Sequence, residues 1–205
     1  MPPSENKTTG FSHPRLEARH LLVNYDEIAL KGGNRRHFES RLLKNIRAAI
    51  KDLGGSHLQP RFGRFLLRLS SETPLDKVCE RLSRIPGIAV YSPCISTSAD
   101  LDSVRAAMDS IIDQLLARGE QPENFAIVSR RANKELPFTS TDANATIGAH
   151  VQERTGWKVR LKKPQLSLYL FFVNNDCFLA LDRLPGLGGL PTGSTGRVAC
   201  LLSGG

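Results

Sequence analysis

RHLLVNYDEI, residues Arg19–Ile28, is an apolar run rich in strand formers, and the loop Lys31-Gly32-Gly33-Asn34 follows it. Asn34 stands where a helix N-cap is expected. From Arg35 to Leu53 the residues Phe38, Leu42, Ile46, Ala49, Ile50 and Leu53 recur at helical spacing, and Gly54-Gly55 ends the helix. His57–Phe62 and Phe65–Ser70 read as two strands joined at Gly63-Arg64. Pro74 opens a second helix carrying Leu75, Val78, Leu82 and Ile85, which Pro86-Gly87 stops before a fourth strand, Ile88–Ile95. The order over residues 19–97 is β-α-β-β-α-β, the split arrangement of a ferredoxin-like domain.

Upstream, MPPSENKTTGFSHPR has no apolar core, so it is no secretory signal, and residues 1–18 are expected to be a loose, disordered tail. Downstream, residues 98–184 form a second mixed unit. Asp100 caps a helix with the stripe Leu101, Val104, Met108, Ile111, Leu115 and Leu116, closed by Gly119. Asn124–Arg131 reads as a strand, Ser140–Thr155 as a helix, and Trp157–Leu161, Leu166–Val173 and Cys177–Leu181 as strands. Leu168–Val173 is apolar on both faces, as a covered central strand requires. The fold class is α+β. Pro185–Gly196, PGLGGLPTGSTG, holds five glycines and two prolines and is expected to be a linker over 185–196. Residues 197–205 then start a new buried strand that runs into Ser203-Gly204-Gly205, a turn in which glycine amides can approach a phosphate.

Lys and Arg number 28 against 20 Asp and Glu, a net charge of +8 that points to a polyanionic partner, nucleic acid before an anionic membrane surface. No apolar run reaches the ~20 residues a membrane helix needs. The four cysteines and five histidines are scattered without metal-site spacing, so buried thiols in a reducing cytosol are expected, and no metal. No carboxylate pair or Ser/His/Asp set stands out as catalytic machinery. Cations cluster twice. Residues 31–51 carry Lys31, Arg35, Arg36, Arg41, Lys44, Arg47 and Lys51 against Glu39, for which a solvated helix face is the plain alternative. Residues 129–163 carry Arg130, Arg131, Lys134, Arg154, Lys158, Arg160, Lys162 and Lys163. Period-two alternation puts Lys158, Arg160 and Lys162 on one strand face with Val159 and Leu161 toward the core. On that basis Arg130, Arg131, Lys134, Lys158 and Lys162 are expected to share one surface.

Three motifs, in order, carry a resemblance: Glu27-x-x-x-Lys31-Gly32-x-Asn34-Arg35-x-x-Phe38, then Arg130-Arg131-x-x-Lys134-x-x-Pro137, then Gly186-x-Gly188-Gly189-Leu190-Pro191 followed by Leu201-Leu202-Ser203-Gly204-Gly205. Over residues 19–205 the chain resembles the bacterial and archaeal tRNA 4-thiouridine synthetases, the tRNA uracil 4-sulfurtransferases. The resemblance implies a ferredoxin-like domain, a THUMP RNA-binding domain and, from residue 197, the start of a pyrophosphatase-type (PP-loop) ATP-binding domain. The aspartate and serine that complete the family's ATP motif, and its catalytic cysteine, do not occur here, so the chain is expected to be the RNA-binding half, with no catalytic residue of its own. The implied partner is tRNA, its acceptor stem and 3′ end, held by Lys31, Asn34, Arg35, Arg130, Arg131, Lys134, Lys158, Arg160, Lys162 and Lys163. Leu201, Leu202, Ser203, Gly204 and Gly205 match positions beside the family's nucleotide. For the full-length enzyme the resemblance implies ATP and Mg2+, adenylation of the uridine carbonyl oxygen, and displacement of AMP by sulfur from a persulfide-bearing protein. It also implies a homodimer and a cytoplasmic setting without membrane contact. Two alternatives stand beside it: the THUMP module of another tRNA-modifying enzyme such as a methyltransferase, and a non-enzymatic interaction domain for acidic proteins.

Overall fold

A computed structural model describes residues 16–25, 34–61, 63–132 and 134–196. Two compact units are present, one built on Arg19–Ser92 with the segment from Arg183, the other on Pro93–Asp182 with Leu16–Ala18.

In the first unit the chain runs β1 (His20–Asn24), α1 (Arg35–Ile50), a 3-10 turn (Lys51–Leu53), β2 (Ser56–Arg61), β3 (Arg64–Leu69), α2 (Leu75–Ser83) and the opening of β4 (Val90–Ser98). Strand order is β2-β3-β1-β4, with β3 antiparallel to both β1 and β2. The four-residue spacing of Phe38, Leu42, Ile46 and Ile50 turns one side of α1 to the core, where Leu21, Val23, Phe65, Leu67, Val78 and Leu82 meet it. Asn34 stands at the N-cap without making a capping bond.

Residues 185–196 are not a free linker. A short strand β9 (Leu184–Pro185) pairs antiparallel with β4, Pro185 opposite Val90 and Leu184 opposite Tyr91. The Gly186 amide donates to Ala89 O at 2.9 Å, the Gly188 amide to Ile88 O at 2.7 Å, and the Gly87 amide to Gly188 O at 2.7 Å. Leu184 and Leu190 pack on the core, Pro191 is buried, and Asn45 Nδ2 donates to Thr192 O at 3.1 Å. Glycine composition suggests flexibility, but here it permits close contact. A Cβ on Gly186 would lie 2.2 Å from Ile88 O.

The second unit contains the rest of β4, α3 (Leu101–Ala117), β5 (Asn124–Arg131), α4 (Ser140–Thr155), β6 (Lys158–Val159), β7 (Leu166–Val173) and β8 (Asp176–Ala180). Residues 16–18, expected in the tail, belong to this unit: Leu16 and Ala18 are buried and the Glu17 amide donates to Gln114 Oε1 on α3. Strand order is β4-β8-β7-β5-β6. β5 is parallel to β7 and β6, whereas β8 is antiparallel to both β7 and β4. Hence β4, β5 and β7 point the same way and end at one edge. Asp100 caps α3 by accepting from the Ser103 amide at 2.7 Å, and Thr139 with Asp142 forms a capping box on α4. Those bonds hold both carboxyls below the usual range, the backbone amide being the main cause in each. Cys79, Cys94 and Cys177 are buried thiols, and burial pushes Cys177 far up. No helix among the described residues is long and apolar enough to cross a membrane.

The Gly186 contact yields a stability test. Gly186→Ala should lower stability by about 1–3 kcal/mol in urea denaturation, because the methyl must displace backbone. Gly196→Ala, where a Cβ meets nothing within 4 Å, should leave the urea midpoint unchanged. Equal midpoints for the two variants would mean that the strap is not seated as described.

Candidate nucleic-acid interface

In the first unit, Lys31 lies outside the described residues and Asn34 is exposed. Arg35 is engaged within its own domain. Its Nε sits 2.8 Å from Glu39 Oε1, its Nη2 donates to the Tyr25 hydroxyl at 3.2 Å, and the guanidinium lies 5.9 Å from the Tyr25 ring centre. The Tyr25 hydroxyl donates to Glu39. Burial first, then that carboxylate, pushes Tyr25 up to about 12. Arg47 donates to Leu58 O at 3.0 Å, which leaves Arg36 and Lys44 as exposed cations of α1, with Lys51 exposed in the turn after it.

The second unit separates cations that the sequence alone suggested would converge. Arg130 and Arg131 end β5, level with Phe171 and Phe172 of β7. Lys158 is level with Asn124 at the other end of the same strand. Six residue steps separate Asn124 from Arg130, about 20 Å at ~3.3 Å per residue. The expected single surface is therefore two edges. The predicted strand Trp157–Leu161 stops at Val159 because the chain turns back through Lys163, at φ +51°, and Pro164 to begin β7 at Leu166. Val159 and Leu161, expected in the core, are 48% and 80% exposed.

At the C-terminal edge the two arginines have different work. Successive strand residues face opposite ways. Arg130 is exposed, while Arg131 is half-buried and its Nη1 donates to Leu136 O at 3.3 Å and to Phe138 O. Arg131 thus braces the loop 132–139 rather than offering its charge outward. The Phe138 ring packs edge-on to Phe172 at 5.2 Å, and the Ala132 amide donates to Phe172 O at 2.8 Å. Lys134 is exposed on this clamped loop, and no carboxylate pairs with it or with Arg130 among the described residues. The loop, the β4–α3 junction and the β7–β8 turn enclose a cleft of about 480 Å³ walled by Ala99, Leu101, Leu136, Pro137 and Phe138, with Asp100 and Asn175 as polar groups. Sequence reasoning missed this cleft, since its walls come from three separate stretches.

At the N-terminal edge Lys158, Arg160, Lys162 and Lys163 are all exposed. The turn that carries them is braced: Asn124 Oδ1 accepts from the Gln165 amide at 3.0 Å and Gln165 Oε1 from the Glu123 amide at 2.7 Å. Arg154 belongs to neither edge, being paired with Asp113 at 2.6 Å and Asp109 at 3.4 Å. Leu201, Leu202, Ser203, Gly204 and Gly205 lie outside the described residues.

Comparison with known proteins agrees with this architecture. Residues 20–92 match the family model described as the ThiI ferredoxin-like domain, and residues 98–182 match the THUMP domain model. A probable tRNA sulfurtransferase of Natranaerobius thermophilus is 35% identical over 196 residues, covering 91% of this chain and 46% of that protein. The chain belongs to the tRNA sulfurtransferase family, as its ferredoxin-like and THUMP region. It spans about half the length of the curated relatives it matches. Among solved structures, PH1313 from Pyrococcus horikoshii superposes with a TM-score of 0.76 at 25% identity, covering 85% of this chain and 57% of that one. A 4-thiouridine synthetase in complex with RNA and ATP superposes at 0.72 with 27% identity, covering 87% of this chain and 44% of that one.

The different work of the two arginines is testable without RNA. Arg131→Met should destabilise the THUMP domain by about 1–3 kcal/mol and raise amide exchange across 134–138, because half-buried carbonyls lose a charged donor. Arg130→Ala should stay within about 0.5 kcal/mol of the parent. Equal effects at both positions would contradict the bracing role.

Proposed function

We propose that this chain is the tRNA-binding region of an ATP-dependent tRNA sulfurtransferase, and that its THUMP domain receives the tRNA acceptor end at the C-terminal edge of β5. The observation that carries the reading is the pair of exposed cations, Arg130 at the end of β5 and Lys134 on the loop that Arg131 and Phe138 hold in place, set beside a cleft and without carboxylate partners among the described residues. A fixed loop presents its charge with little ordering cost on binding, and both side chains suit phosphate, Arg130 as a planar two-pronged donor and Lys134 as a point charge. An unpaired RNA end, with bases available to a half-apolar cleft, suits this edge better than a duplex, whose deep major groove hides its base edges.

The names of the relatives favour thiolation over the methyltransferase alternative. In the whole enzyme this region would hold tRNA so that a uridine reaches a catalytic part outside these residues. That part would use ATP and Mg2+, take sulfur from a persulfide-bearing protein, and work in the cytoplasm, as a homodimer if the region pairs. The 205-residue chain alone is expected to form no 4-thiouridine when supplied with ATP and a sulfur donor.

Filter binding of tRNA over a salt series tests the binding reading. Affinity should fall steeply with salt, and Arg130→Ala should weaken binding and reduce the slope of log K against log salt by about one. Lys77→Ala, on the exposed side of α2, should change neither. Weak binding that ignores salt would count against nucleic acid as the partner.

A further inference from the structure

The N-terminal edge of β5 holds a cluster that the acceptor-end reading does not use. Lys158, Arg160, Lys162 and Lys163 occupy six residues, all exposed, with no carboxylate partner among the described residues. They lie on β6, the outermost strand of this unit's sheet, and on the turn that follows it. The turn is held by the reciprocal Asn124–Gln165–Glu123 bonds and by the Arg160 amide donating to Phe125 O at 2.8 Å. A polar cleft of about 530 Å³, walled by Glu123, Asn124, Thr155, Gly156, Trp157 and Lys158, adjoins it.

The geometry points to a second RNA contact here, one that grips the phosphate backbone of a duplex stem while the opposite edge holds an unpaired end. This inference rests on the tRNA-binding reading and deepens it. Composition selects phosphate over an acidic protein: three of the four cations are lysines, which protein–protein interfaces deplete but which meet phosphates as point charges. The absence of a stacking surface selects duplex over single strand. Single-stranded sites present aromatic faces to bases, whereas residues 158–163 contain no aromatic and Trp157 is buried against Phe125. An A-form stem offers its backbone and 2′-hydroxyls along a shallow minor groove, which needs only spaced donors. The separation of about 20 Å along β5 then sets the reach between the stem contact and the end contact.

The test uses the whole 205-residue chain with two probes: an unpaired RNA tetranucleotide, and a hairpin whose stem ends in that tetranucleotide. Lys158→Ala/Lys162→Ala should leave tetranucleotide affinity within about twofold. For the hairpin, the loss of affinity between about 50 and 200 mM salt should shrink by about tenfold, as two fewer phosphates are neutralised. Arg130→Ala/Lys134→Ala should weaken both probes. Unchanged urea midpoints, expected for exposed side chains, show that the variants are folded, and Lys162→Gln alone should give about half the change in salt slope. Equal weakening of both probes by the lysine pair would overturn the inference in favour of one continuous surface. No effect on either probe, or displacement of the hairpin from this edge by polyglutamate as readily as by RNA, would overturn it in favour of a solvated or protein-binding edge. Failure of the parent chain to bind either RNA would instead remove the tRNA-binding reading, and this inference with it.

Discussion

The parallel pairing of β5 with β7 fixes what the THUMP domain can present. Seven residue pairs, from Phe125 opposite Leu166 to Arg131 opposite Phe172, align the two strands. β7 sits between β8 and β5, so a one-residue slip would put Ser167 and Tyr169 where buried Leu168 and Leu170 now pack. That register leaves one arrangement of the ends. The loops after β4, β5 and β7 gather at one edge, and the turn from β6 to β7 lies at the other. A parallel pair needs a long crossover, and α4 supplies it, held on α3 by the His150–Asp109 and Arg154–Asp113 contacts. Those carboxylates neutralise Arg154 on the outer face of the helices.

The ferredoxin-like domain depends on a similar economy of space. Leu184 and Leu190 complete a core that α1 and α2 leave open at the Ile88 side, and glycine at 186 is what lets the strap approach the Ile88 carbonyl. The strap then passes Asn45 and Arg41 on α1, so part of that helix's basic face is covered by the chain itself. This helix carries the cations of the first sequence cluster, and its Arg35 is already committed to Tyr25 and Glu39. The exposed, uncommitted cations of α1 are therefore fewer than the sequence count suggests.

Most elements were legible because burial imposes a period. α1, α4, β5 and β7 begin or end within a residue or so of where the apolar spacing placed them, and the helix cap Asp100 stands where its chemistry requires. Where the sequence misled, two environments share one pattern. Lys158-Val159-Arg160-Leu161-Lys162 alternates like a half-buried strand, yet an edge turn with both faces wet satisfies the same alternation. Glycine-rich Pro185–Gly196 reads as a tether, and only the three-dimensional contact at Ile88 shows that it is packed. Arg130 and Arg131 are identical neighbours, and strand parity alone separates a surface charge from a loop brace. The C-terminal cleft was invisible because no local pattern records which loops a parallel sheet will bring together.

We propose that RNA is held by the edges of the THUMP domain. Amide chemical-shift mapping of the 22.6 kDa chain during titration with a tRNA acceptor-stem hairpin tests it most directly. Binding at these edges should group the shifts at residues 130–138 and 158–163 and leave the α3–α4 face around Asp109, Asp113 and Arg154 silent. Shifts confined to α1 and the first unit, with both edges of β5 unmoved, would contradict it.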